Sequence, residues 1–239
     1  MNYALIFAGG VGQRMNSTAL PKQFLLVKET PIIVHTINHF QKCNLIDGII
    51  VVCVETHIDL MRNLSKDYNL TKIIEIIPGG SNGQESIFNG LKYLKNINVM
   101  DDDIVLIHDG VRPLIDEETI RRNINCVKNK GNCVTTAKSV ETVLISENDK
   151  IINTVDRSKC YLGRAPQSFY FSDIYLAHEK ARQDGKLDFI DSAMLMQHYG
   201  HKLYTIDGPQ SNIKITTPID YFIFKAILEE SDNDQIKIL

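Results

Sequence analysis

The sequence predicts an α/β protein: a Rossmann-like, mostly parallel sheet flanked by helices, with a β-hairpin arm inserted late in the chain. Three observations predict it. Short β-rich apolar runs alternate with longer segments whose apolar residues recur at helical spacing. The first run ends in a glycine loop, Ala8-Gly9-Gly10-Val11-Gly12, of the kind that α/β sheets place at the carboxyl ends of their strands. Two further β-rich runs flank the polar turn Glu147-Asn148-Asp149-Lys150 and interrupt the alternation.

The expected strands cover residues 3–8, 48–54, 72–77, 104–108 and 134–137. Their near-continuous apolar character suits strands buried on both faces of a parallel sheet. The expected helices cover 31–43, 56–68, 85–94 and 117–130, with Pro31 placed to open the first. Runs 142–146 and 151–155 then form the arm, about 139–157, which follows a completed α/β core and has no evident place in the preceding sheet. Two strands alone are marginal in water, so the arm is expected to pack on a second subunit in a homodimer. Helices over 171–183 and 192–199, a strand over 202–206 and a helix over 218–230 follow, and the tail 232–239 is expected to fray. No repeat, low-complexity tract or linker divides residues 1–239, which read as one domain.

Composition narrows the partners. The formal net charge is -3 with scattered lysines and arginines, which leaves no basic face to follow a nucleic-acid backbone. The amino terminus lacks a signal-peptide pattern, and no apolar run approaches the roughly 20 residues of a spanning helix, so a cytoplasmic protein without membrane contact is expected. The 5 cysteines include no C-x-x-C pair, which argues against a disulfide framework and a zinc ribbon. Cys53 and Cys133 lie in strand-like runs and read as buried free thiols. His35 and His39 are one helical turn apart but lack the glutamate of a metalloprotease motif, so they read as packing or solvated residues.

The chemistry concentrates after the first strand. Ala8, Gly9, Gly10, Gly12 and Gln13 form a loop whose backbone N–H groups can approach phosphate oxygens, and Arg14 and Lys22 add two cations to it. A dinucleotide fingerprint would need its third glycine at Met15, and the P-loop pattern is absent. Gly79-Gly80-Ser81 follows the third strand, where glycines let backbone groups reach the edge of a base and Ser86 supplies a hydroxyl. Asp109 ends the fourth strand, placed either to hold Mg²⁺ against triphosphate oxygens or to pair with Arg112. Strand-like alternation over 212–216 would set Lys214 on the face opposite Ile213 and Ile215. At the end of the arm, Arg157 offers either a bidentate grip on a phosphate or a surface ion pair with Asp156 or a neighbour.

As a whole, residues 8–24 resemble the signature of the cytidylyltransferases that make CDP-methylerythritol or CDP-ribitol. The resemblance runs along nearly the whole chain, through Gly79-Gly80-Ser81 with Ser86, His108 to Pro113, Val155-Asp156-Arg157, Pro166-Gln167, Asp191 and Asn212 to Thr216. It implies a homodimer that uses CTP, a polyol phosphate and Mg²⁺, with Asp109 at the metal and the glycine segments reading cytosine. It assigns catalysis to Arg14, Lys22, Arg157 and Lys214, and the acceptor to Arg112, Thr142, Arg157, Asp191 and Lys214. Arg157 is implied to reach the acceptor in the neighbouring subunit. Gly83, Ala165 and Ile190 depart from the pattern, each by losing a polar group, and Arg164 stands beside one of these losses. The glycine loop, Pro21 to Phe24 and 212–218 are closer to the ribitol branch, with methylerythritol phosphate as the alternative acceptor. Two readings from other classes are a nicotinamide-dependent oxidoreductase and a non-catalytic nucleotide-binding regulator.

Overall fold

A computed structural model describes residues 1–9 and 20–231. Strand β1 (Asn2–Ala8) leads, by way of a small ladder of β2 (Leu26–Val27) and β3 (Thr30–Pro31), into α1 (Ile32–Lys42). Then β4 (Gly48–Cys53), α2 (Ile58–Asp67), β5 (Ile73–Pro78), α3 (Gly83–Asn96), β6 (Ile104–Asp109), α4 (Glu117–Asn129) and β7 (Cys133–Lys138) continue the alternation. The arm is β8 (Leu144–Glu147) and β9 (Lys150–Thr154). After it come β10 (Tyr161–Tyr170), α5 (Phe171–Gln183), α6 (Ser192–His198), β11 (Tyr204–Asp207) and α7 (Pro218–Ser231). The tail expected to fray lies outside the described residues.

Among the described residues seven strands form one sheet in the order β11-β7-β10-β6-β1-β4-β5. Only β10 runs antiparallel to its neighbours β6 and β7. Side chains alternate across the sheet as extended geometry requires. Ala4 and Ile6 of β1 pack with α1, α2 and α4 on one face, and Leu5 packs with α3, α5 and α6 on the other. Gly90 lets α3 seat closely, since a Cβ there would lie 2.6 Å from Leu5 Cδ1. Strand order reverses about β1, with β4 on one side and β6 on the other. That reversal opens a crevice at the carboxyl ends of the strands, where Gly9, Gly79 and Asp109 fall.

The structure corrects the sequence reading at three places. First, the α/β core is not complete before the arm: β10, unforeseen from sequence, inserts afterwards between β6 and β7. Its register against β7 shifts between Gly163 and Gln167, around Pro166, so the segment lacks the even alternation by which a strand is read. Second, residues 212–216 form no strand. Ile215 is fully buried, held by its N–H to Val111 O at 2.9 Å. Third, Pro31 caps α1 rather than opening it. The free-thiol reading holds for Cys53 and Cys133, both buried, with burial pushing the Cys53 thiol up to about 11. His35 and His39 each contact a carbonyl 3.0 Å away, of Val27 and Pro113 respectively.

Candidate active site

A cleft of about 700 Å³ lies over the ends of β1, β5 and β6. Ala8, Gly9, Lys22, Gly79, Gly80, Ser81, Ser86, Asp109 and Lys214, all expected from the sequence, line it. Gly10, Gly12, Gln13 and Arg14 lie outside the described residues. The floor is made by close backbone approach: a Cβ on Gly79 would come within 3.3 Å of Gly9 Cα and 3.1 Å of Ser86 Oγ. Gln23, buried under the cleft, donates from Nε2 to Ala8 O at 2.7 Å and so fixes the turn that carries Lys22.

The loop after β5 is held by its own N–H groups. Gly79 N donates to Cys53 O (2.8 Å), Gly80 N to Ser86 Oγ (3.0 Å) and Ser81 N to Glu85 Oε2 (2.8 Å). Asn82 caps α3 by accepting from Glu85 N at 2.9 Å, while Glu85 reaches back to Ser81, a reciprocal arrangement like a capping box. The hydrogen bonds from Ser81 hold the Glu85 carboxyl below its ordinary range. The Ser86 hydroxyl donates to Asn82 O at 2.8 Å, so in this arrangement it shapes the loop rather than offering its hydrogen to a ligand.

Asp109 is the electrostatic centre. Its carboxylate is buried between Arg112 Nε (2.7 Å) and Lys214 Nζ (2.6 Å). Burial alone would raise its pKa, but Arg112 and then Lys214 outweigh that and hold the carboxyl well below the usual range. Arg112, an expected acceptor ligand, also donates to Asn212 O at 3.0 Å and is itself buried. It braces Asp109, which is the alternative its sequence position allowed. Asn212 donates to Ala165 O at 2.7 Å, tying the segment that carries Lys214 to β10.

A second cavity of about 300 Å³ adjoins the cleft and shares Phe7, Gly83, Asp109 and Lys214 with it. Asp191 lines this cavity, with one carboxylate oxygen capping α6 at Met194 N (2.8 Å) and the other accepting from Gln167 Nε2 (3.0 Å). Thr142 and Arg157 line neither space. Both are exposed on the arm, where Arg157 donates to Val140 O at 3.2 Å. Asp156 turns to Ser158 and Lys159 rather than to Arg157. Sequence reading missed Phe7 and Asn82 as parts of the site, because an apolar residue and a helix cap each have commoner structural uses, and it had Gln23 only as part of the motif that carries Lys22.

The family model for IspD, 2-C-methyl-D-erythritol 4-phosphate cytidylyltransferase, matches residues 3–230. The chain belongs to this cytidylyltransferase family. It is a nucleotidyltransferase, and the nicotinamide-dependent reading finds no support among its relatives. A ribitol-5-phosphate cytidylyltransferase of Streptococcus agalactiae serotype III is 49% identical, with 99% of each chain covered. A 2-C-methyl-D-erythritol 4-phosphate cytidylyltransferase of Clostridium acetobutylicum is 37% identical, covering 97% of this chain and 99% of the relative. The crystal structure of 4-diphosphocytidyl-2C-methyl-D-erythritol synthase from Anaerococcus prevotii superposes with a TM-score of 0.82 at 28% identity, covering 96% of each chain. Among the described residues no helix is long and apolar enough to cross a membrane.

Proposed function

We propose that this cytidylyltransferase transfers CMP from CTP to D-ribitol 5-phosphate, giving CDP-ribitol and pyrophosphate. The observation that carries the acceptor is the full-length likeness to a ribitol-5-phosphate enzyme, at 49% against 37% for a methylerythritol-phosphate enzyme. CTP lies in the larger cleft, its base against residues 79–81. An acceptor phosphate oxygen bonds to the α-phosphorus as the bond from that phosphorus to the bridging oxygen breaks, and pyrophosphate leaves in line. Both reactants are anionic, so the protein acts by positioning them and by setting Lys22 and Lys214 against the developing charge.

Mg²⁺ belongs to this proposal. Among the described residues no group of three His, Cys, Asp or Glu side chains could hold a metal, but Mg²⁺ commonly binds through one or two carboxylates plus substrate phosphates. Asp109 fits that role, since a carboxylate has about four lone-pair positions and its two cations occupy two of them. Bound there, the ion would supply charge neutralisation to the triphosphate. The deciding assay is pyrophosphate release with CTP, Mg²⁺ and a panel of ribitol, arabinitol, glycerol and methylerythritol phosphates. Ribitol 5-phosphate is expected to give the highest kcat/KM. A higher value with methylerythritol phosphate overturns the acceptor, and no release with any acceptor supports a non-catalytic nucleotide binder.

The arm supports a homodimer within the same proposal. Leu144, Ile145, Ile151 and Ile152 are 49%, 45%, 65% and 55% exposed on a two-stranded ladder separate from the main sheet. A second copy would cover them and bring Thr142 and Arg157 to the neighbouring site. On that arrangement Arg157→Ala raises the acceptor KM with little effect on CTP. Mixing it with Lys22→Ala restores activity in heterodimers, because one of the two composite sites keeps both residues. A monomer by light scattering, or no recovery after verified subunit exchange, rules the arrangement out.

A further inference from the structure

The second cavity is lined by an arginine whose Nε the fold leaves unpaired. Arg164 lies on β10 between Gly163 and Gln167, where the register against β7 breaks, and such irregularities release a side chain from the ladder and re-aim it. The side chain lines the 300 Å³ cavity, and its Nε is buried without a hydrogen-bond partner. The carboxylates nearby are already engaged: Asp109 by Arg112 and Lys214, and Asp191 by Gln167 and the start of α6. Burial, with Arg112 as a like-charged neighbour, pushes the Arg164 guanidinium down from its ordinary value. A buried donor left unpaired is costly, and a ligand that supplies an oxygen removes that cost.

The cavity wall also includes His178, 1% exposed, with neither ring nitrogen bonded. Burial pushes it down to about 3, so it is neutral and wants one donor and one acceptor. A hydroxyl is both donor and acceptor, which makes a polyol chain a fitting occupant of this wall. The route in is also given. Lys214 lines both the nucleotide cleft and this cavity, so a molecule whose phosphate lies at Lys214 can extend its carbon chain past Asp109 towards Arg164.

We infer that Arg164 is a specificity-determining residue, donating from its guanidinium to a hydroxyl of the acceptor polyol in this cavity. The inference rests on the cytidylyl transfer to a polyol phosphate proposed above. The test compares the full-length wild type with Arg164→Met and Arg164→Lys, measuring KM for CTP and for ribitol 5-phosphate. Glycerol 3-phosphate, which lacks the distal hydroxyls, is measured as substrate or as competitive inhibitor. Arg164→Met is expected to raise the ribitol 5-phosphate KM by about 10- to 100-fold, the range of a charge-assisted hydrogen bond. CTP and glycerol 3-phosphate should change less than twofold, kcat should fall far less than KM rises, and Arg164→Lys should recover part of the loss. The thermal midpoint of Arg164→Met should equal or exceed the wild type, because an unsatisfied buried donor is removed. An unchanged ribitol 5-phosphate KM, or an equal penalty for both acceptors with a lowered midpoint, overturns the inference and leaves the proposed reaction standing. A wild type that releases no pyrophosphate with any acceptor overturns that reaction and this inference with it.

Discussion

Replacing CTP by UTP is expected to lower kcat/KM by about 10⁴, because the loop after β5 meets a base with acceptors rather than donors. The N–H groups of Gly79, Gly80 and Ser81 are all consumed in holding the loop, by Cys53 O, Ser86 Oγ and Glu85 Oε2. What the loop retains for recognition is carbonyl oxygen. Cytosine presents an exocyclic amine to such a surface, whereas uracil presents a second acceptor and leaves both oxygens unpaired. The loop cannot easily turn over to compensate, since its N–H bonds are anchored in β4 and α3. Steady-state kinetics with both nucleotides at saturating acceptor measures this directly, and equal use of the two would contradict a base-reading role for residues 79–81.

Lys22→Ala is expected to lower kcat by about 10² to 10³ while the protein stays folded, the usual cost of removing one charge-stabilising donor. Lys22 begins a short 3-10 turn, Lys22–Phe24, whose next two residues are buried. Gln23 is bonded to the end of β1, and the Phe24 ring stacks on His57 with centroids 5.3 Å apart. The turn is therefore also held by its two buried residues, and circular dichroism should show that the variant keeps the fold. Turnover within a few-fold of the wild type in the purified variant would remove Lys22 from the catalytic set.

The parallel core was legible because its strands are continuous apolar runs and its helices carry one apolar stripe, so periodicity alone separates them. Glycines at the ends of β1 and β5 and an acid at the end of β6 then locate the cleft, since one sheet edge gathers them. The antiparallel strand β10 was not legible. Gly163, Arg164 and Pro166 break its alternation, and its pairing is decided by β6 and β7, which lie far away in sequence. Lys214 was singled out on the resemblance, while the local reading of its segment was incorrect: an irregular segment, not a strand, carries it to Asp109. The partners of Arg112 and the commitment of Ser86 to its own loop are properties of packing, and local patterns do not encode them.

The way the arm leaves the sheet has a consequence for how such proteins diversify. Lys138 at the end of β7 lies opposite Tyr161 at the start of β10, and Ser139 N donates to Cys160 O at 3.0 Å, so the chain departs and returns through a single gap. Everything between is a graft on what would otherwise be an ordinary hairpin connection, and a short turn would close the same seam. The loop-closure entropy of such a graft grows only slowly with its length. The arm can accordingly change in length while the Asp109 cluster stays intact.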